Sequence, residues 1–183
     1  ARVWGVDPDE LPRPGVSAYE MLDRLGTDGG VRALLVTGSN VVVSAPRAAH
    51  VRERLRALDF LAVSDIFLSE TAELADVVLP TTQWAEEDGT MTNLEGRVLR
   101  RRRATDAPEG VRSDLAVLAD LAVRLGRGER FSDDPRTVFD ELRRASAGGQ
   151  ADYAGITWER IDAERGVFWP CPDEQHEGTP RMF

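Results

Sequence analysis

Asp65 closes the apolar run Phe60-Leu61-Ala62-Val63-Ser64. A carboxylate at the end of a buried strand can accept two hydrogen bonds, for example from ribose hydroxyls or from the N–H edge of guanine. The same residue in the same place also serves as a plain turn or cap. Gly38-Ser39-Asn40 follows a second apolar run. Glycine lets a backbone come close to a ligand, and Ser and Asn offer polar contacts, although an ordinary turn accounts for the triplet equally well. It is not the full glycine fingerprint of dinucleotide-binding folds. Glu86-Glu87-Asp88 has the donors to hold a metal or a cation, and also the composition of a solvated acidic loop. Asp114 follows Ser113 at the start of a helical pattern, where the helix dipole alone favours a carboxylate. Arg100 to Arg103 can clamp a phosphate, face a partner or line a solvated strand edge.

Other chemistry finds little support. There are two histidines and one cysteine, too few for a disulfide framework, a zinc site from Cys171 and His176, or a nucleophile–histidine arrangement. His50 falls on a polar helix face. No catalytic group and no metal ligand stand out.

The elements that must position these residues can be read from hydrophobic patterning. Ser17-Ala18-Tyr19-Glu20 fits a capping box opening a short helix. Residues 31–36 form a buried strand stopped by Gly38. Residues 44–59 read as a helix with Pro46 in its first turn, and Ala48, Val51, Leu55 and Leu58 on one face. "FLAVSDIF" is a second strand, "SETAELA" a short helix opened by Ser69, and "DVVLPT" a third strand. Strand–helix–strand alternation implies parallel pairing with right-handed crossovers, and such sheets place ligands at the carboxyl ends of their strands. The expected fold class is α/β, a three-layer sandwich with a mostly parallel, Rossmann-like sheet. Residues 93–103 read as an irregular strand or hairpin. Ser113 caps a helix with the stripe Leu115, Leu118, Leu121, Ala122 and Leu125. Asp134-Pro135 opens another, with Val138, Phe139, Leu142 and Ala145 inward. Residues 1–150 are expected to form the ligand-binding domain, and 151–183 an extended tail or linker.

Composition sets outer limits. Of 183 residues, 42% are hydrophobic and 30% charged, a globular balance. The net charge of −9, with arginine as the sole strongly basic residue type, argues against nucleic-acid binding. No apolar run reaches membrane-spanning length, and the first fifteen residues lack the apolar core of a signal peptide.

One stretch carries a more specific signal. "SETAELADVVLP" followed by "WAEEDGTMTNLEGRV" resembles the molybdopterin oxidoreductase family, also called the dimethyl-sulfoxide-reductase superfamily. The shared pattern is Thr-Ala, then Ala-Asp-apolar-apolar-Leu-Pro, a Trp with acidic residues, a Gly, and Asn-x-Glu-Gly-Arg. "GSN" and the "SD" of "RSDL" fall in order, so the resemblance covers roughly residues 17–126. The flanking phrases look most like cytoplasmic assimilatory nitrate reductase large subunits.

The resemblance implies an α/β module of a longer enzyme that embraces the nucleotide end of one molybdopterin guanine dinucleotide. Molybdenum and an N-terminal iron–sulfur cluster would belong to the parent, and this piece alone is expected to be inactive. Position by position, it implies cofactor contacts at Gly38, Ser39 and Asn40, at Ser64 and Asp65 toward guanosine, at Glu87 (a Lys in related periplasmic nitrate reductases) and at Asp114. It implies shaping roles for Thr71, Asp76, Asn93 and Arg97. Expected partners are the remaining domains of the parent and an electron-donor protein or subunit, with no nucleic acid and no membrane. Nitrate reduction to nitrite is the expected activity. A formate dehydrogenase, a cofactor-less structural subunit of an electron-transfer complex and a free-standing nucleotide-binding module are the alternatives.

Overall fold

The structure is a computed structural model and describes residues 1–180. The chain divides into two compact units. One comprises Pro12–Gln83 and Ala107–Asp114; the other comprises Ala1–Leu11, Trp84–Asp106 and the residues from Leu115 onward.

The first unit carries α1 (Ala18–Asp23), β1 (Ala33–Thr37), α2 (Val41–Ser44), α3 (Ala48–Arg56), β2 (Phe60–Asp65) and β3 (Val77–Pro80). As the capping-box pattern predicts, the Ser17 hydroxyl accepts from the Glu20 N–H at 3.2 Å. The three strands form one parallel sheet in the order β1-β2-β3, with Val36 beside Val63 and Val63 beside Val78. The α/β class expected from the alternating pattern is therefore present. Side chains alternate across the pleat, so Val36, Leu61 and Val63 share one face, buried with Leu22, Leu25, Val51 and Leu55. Each fully buried leucine contributes about 2 kcal/mol of transfer free energy. The opposite face presents Leu35, Phe60 and Val77, between 39% and 45% exposed. Within this unit the helices cover one side of the sheet.

Two local details depart from expectation. Pro46 does not sit in a first helical turn. It restricts the residue before it, and Ala45 is extended at ψ 147°. Val41–Ser44 therefore closes as its own turn, and α3 starts only after Arg47, which is left-handed at φ 61°. Ser69 opens no α-helix either. A single 3-10 turn, Ala72–Leu74, lies between β2 and β3, and the Ser69 hydroxyl donates back to Asp65.

The second unit contains β4 (Gly89–Thr92), β5 (Arg97–Arg101), α4 (Asp114–Arg124, which begins on the last residue of the first unit), α5 (Pro135–Ser146), α6 (Trp158–Ala163) and β6 (Val167–Phe168). β4 and β5 form a true antiparallel hairpin. Its turn is held by the Asn93 Oδ1, which accepts from the Glu95 and Arg97 N–H groups at 3.0 and 2.9 Å. β6 adds to the free edge of β5. The core is Val98, Phe139, Ile156, Ile161, Val167 and Cys171. Four of these six lie beyond residue 150, so the segment expected to be extended instead folds into a helix, a strand and half of a core. The turn signals there are real, but β6 finds a strand edge and Ile161 an apolar pocket. The stripes on α4 and α5 are less buried than their periodicity suggests. Ala122 and Phe139 are inward, while Leu118, Leu121, Leu125, Leu142 and Ala145 are exposed. Periodicity marks an apolar face and not what covers it. Among the described residues no helix is long and apolar enough to cross a membrane.

Candidate functional site

Parallel pairing puts the ends of β1, β2 and β3, at Thr37, Asp65 and Pro80, on one edge of the sheet. Gly38 turns the chain there at φ 56°, a left-handed conformation that favours glycine, and its N–H donates to the Ser64 carbonyl at 2.8 Å. Ser39 and Asn40 follow, both half-buried.

Three polar side chains on this edge are each held by a hydroxyl. The Thr71 hydroxyl donates to Asn40 Oδ1 at 2.9 Å and accepts from the Val42 N–H at 3.1 Å, while Asn40 Nδ2 donates to Glu70 at 2.6 Å. Asn40 is thereby fixed in one amide orientation. Asp65 Oδ1 accepts from the Ile66 N–H at 2.8 Å, and its Oδ2 from the Ser69 hydroxyl at 3.1 Å. Asp114 Oδ1 accepts from both the Ser64 and the Thr81 hydroxyls, at 3.0 and 3.1 Å. Ser64 and Thr71 are fully buried, and Thr81 nearly so. Ser64 and Asp65 are consecutive strand residues and point to opposite faces. Asp114, bonded to Ser64, and Asp65 therefore flank the end of β2 from its two sides.

The edge is acidic. Asp65, Asp114 and Glu70 bring carboxylates to this edge. The Glu70 carboxyl is held below the usual range, first by its own backbone N–H and then by the Asn40 amide. Such an edge suits a group rich in N–H or O–H donors, such as a ribose or a guanine edge, better than a phosphate. The carboxylates keep unused acceptor sites, because an ionised carboxylate offers about four lone-pair positions.

Of the residues picked from sequence, Gly38, Ser39, Asn40, Ser64, Asp65 and Asp114 all lie in this first unit. Glu87 lies in the second, where its carboxylate pairs with Arg101 at 2.5 Å. The basic row of that unit is internally paired: Arg100 and Arg101 are largely covered, while Arg102 and Arg103 line a solvated edge. Arg100 lies 3.7 Å over the Trp158 ring, donates to the Gly89 carbonyl at 3.1 Å and sits 3.5 and 3.8 Å from Asp162 and Asp88. Sequence reasoning missed the holding roles of Ser69, Glu70 and Thr81. Hydroxyls and an acid on either side of the last strand of a parallel sheet were the available signal. Among the described residues no cluster of three or more His, Cys, Asp or Glu is arranged to hold a metal. A hollow of about 260 Å³ lined by Gly29, Arg32 and Asp59 lies at the opposite, amino end of the strands. It is open, and its walls are occupied by the Arg32–Asp59 ion pair, so it does not compete with the carboxyl-end site.

Comparison with known proteins identifies the family. The family model for molybdopterin oxidoreductases matches residues 6–124. The chain is 47% identical, over its whole length, to 26% of the assimilatory nitrate reductase catalytic subunit of Bacillus subtilis. It is 43% identical, over 96% of its length, to 25% of the alpha subunit of a formate dehydrogenase of Methanocaldococcus jannaschii. It thus spans about a quarter of the length of these relatives. The acetylene hydratase of Pelobacter acetylenicus shares the fold, with a TM-score of 0.63 and 22% identity over 78% of this chain and 19% of its own. The chain belongs to the molybdopterin oxidoreductase family.

Proposed function

We propose, from that membership, that this chain is the part of a molybdenum-dependent oxidoreductase that grips the guanosine end of one molybdopterin guanine dinucleotide, and that the whole protein reduces nitrate to nitrite in the cytoplasm. The observation that carries the cofactor reading is the pair of carboxylates, Asp65 and Asp114, anchored on either side of the end of β2 with acceptor capacity to spare. The N1–H and N2–H of guanine are adjacent donors, as are the two ribose hydroxyls, and a carboxylate accepts either pair.

The residues present fit the nucleotide end of the cofactor. Gly38 and Ser39 would line the approach after β1. Asn40, held by Thr71 and Glu70, would present a fixed amide, and Asp65 and Asp114 would receive the donor edges. The pterin-bound metal, when present, supplies the redox chemistry. The work of this chain is to bind and orient. Electrons would come from a donor protein or subunit and from an iron–sulfur cluster elsewhere in the parent, since the single cysteine here is buried and cannot ligate a cluster alone.

Nitrate is favoured over other substrates by the 47% identity to a nitrate reductase across the whole chain. Formate oxidation is the second reading, favoured by the 43% identity to a formate dehydrogenase subunit. The parent protein, purified with its cofactor, decides between them by nitrate reduction with a reduced viologen against formate oxidation with the oxidised dye. Asp65→Ala tests the binding reading in the same protein. Guanine nucleotide and molybdenum content are expected to fall together by about tenfold, the loss of a charge-assisted hydrogen bond. Unchanged content sinks the proposed site.

A further inference from the structure

We infer that Thr81, together with Ser64, is a positioning residue that aims the Asp114 carboxylate at the bound ligand, an assignment that rests on the nucleotide-site reading above. Two independent sets of contacts fix Asp114. Its backbone follows a segment sewn to the end of β3: the Arg112 N–H donates to the Pro80 carbonyl at 3.3 Å, and the Thr82 N–H to the Arg112 carbonyl at 3.1 Å. Thr81 itself is pinned by its N–H to the Asp65 carbonyl at 3.2 Å. The Asp114 side chain is then held from below, because two buried hydroxyls, from β2 and from the residue after β3, converge on the same oxygen, Oδ1.

The convergence is informative. A buried hydroxyl needs an acceptor, and the Ser64, Asp65 and Pro80 carbonyls here already accept backbone N–H groups. Both hydroxyls take one carboxylate oxygen of a residue that is itself exposed. The second oxygen, Oδ2, has no hydrogen-bond partner among the described residues. The carboxylate is thus clamped at one end and open at the other, with its plane set before a ligand arrives. Preorganising an acceptor in this way lowers the ordering cost of binding.

The experiment uses the full parent protein with its cofactor. Thr81→Val keeps the shape and removes the donor, Thr81→Ser restores it, and Asp114→Asn keeps an acceptor for the hydroxyls while replacing Oδ2 with an N–H₂ that opposes the donors of the ligand. The readout is the rate of guanine-nucleotide loss, followed by the nucleotide recovered after dialysis, with thermal melting measured beside it. Thr81→Val is expected to speed loss about tenfold, as for one charge-assisted bond, and Thr81→Ser to return it to near the parent rate. In the Asp114→Asn background Thr81→Val should add almost nothing, because residues that act through one another are non-additive. Full additivity, or a Thr81→Val protein that keeps its nucleotide while Asp114→Asn loses it, overturns the inference and leaves the site standing. Nucleotide retention in Asp114→Asn itself removes the site and the inference together. If Thr81→Val does not fold, Ser64→Ala removes the other hydroxyl and carries the same expectation.

Discussion

The carboxylates at the end of the parallel sheet and the arginines of the β4–β5 hairpin are both dense in charge, yet they are built in opposite ways. Around Asp65 and Asp114 the donors are neutral, namely hydroxyls and a backbone N–H, and each carboxylate keeps its charge and part of its acceptor capacity. Around Arg100 and Arg101 each guanidinium meets a carboxylate of its own unit: Asp162 and Asp88 for one, Glu87 for the other. Neutral positioning leaves a charge available to a ligand, whereas ionic pairing consumes it. On the proposed reading the difference separates a recognition edge from a structural brace, although both look like charged loops in the sequence.

Arg100→Ala is the strongest way to break that comparison. Its side chain is only 12% exposed, and its loss uncovers Trp158 and removes a donor from the Gly89 carbonyl, while Asp162 keeps Arg102 at 2.8 Å. Truncating a large, mostly buried side chain that covers an aromatic ring costs about 2 kcal/mol, and urea unfolding is expected to show a loss of that size with nucleotide content unaffected in the molecules that remain folded. A change under about 0.5 kcal/mol, the range of ordinary surface substitutions, places Arg100 outside the structural brace. Gly26→Ala tests the frame of the other region. Gly26 is left-handed at φ 65°, and an added Cβ would lie 2.3 Å from the Ala57 carbonyl oxygen. We expect a cost of about 2 kcal/mol from combined strain and clash, again read from the urea midpoint.

These contrasts also show what the sequence could and could not reveal. β2 was legible because "FLAVSD" is apolar, of strand length and ended by a polar pair. The parallel order followed from the alternation of elements, and so did the gathering of Gly38, Asn40 and Asp65 on one edge. The Ser17 and Asp134 caps were legible because a cap is a local bond, three residues long. The partners of Asn40 and Asp114 were not, since Thr71 and Thr81 reach them across 31 and 33 residues, and a hydroxyl carries no sequence mark of the acceptor it will choose. The pairing of Arg100 and Arg101 was hidden for a related reason. The acids lie partly at Glu87 and Asp88, just before β4, and partly at Asp162, on a helix hidden in a segment that composition presented as extended. Pro46 was placed one step too far into its helix because the turn at Val41–Ser44 is only four residues long, shorter than a periodic pattern can register.

Asp134 sharpens the comparison with the smallest effect. It resembles Asp65 in its donors, one backbone N–H and one hydroxyl, but both come from Thr137, at 2.8 and 2.6 Å, and both reach a single oxygen at the start of α5. The Thr137 hydroxyl, then its N–H, hold the Asp134 carboxyl below its ordinary value of 3.8. A carboxylate with a depressed native pKa adds stability that is fully present above the unfolded value and is lost as pH falls through the folded one. Asp134→Ala should therefore cost about 1 kcal/mol at neutral pH, the usual worth of an N-cap. The gap between variant and parent in urea unfolding should shrink once the pH drops below 3.8. Asp65→Ala should show a smaller gap at neutral pH, because its bonds close an exposed loop instead of capping a helix. If the two aspartates cost the same at neutral pH, then Asp65 is one more structural cap, and the distinction between an edge kept open for a ligand and a charge spent on folding fails at the residue where it matters most.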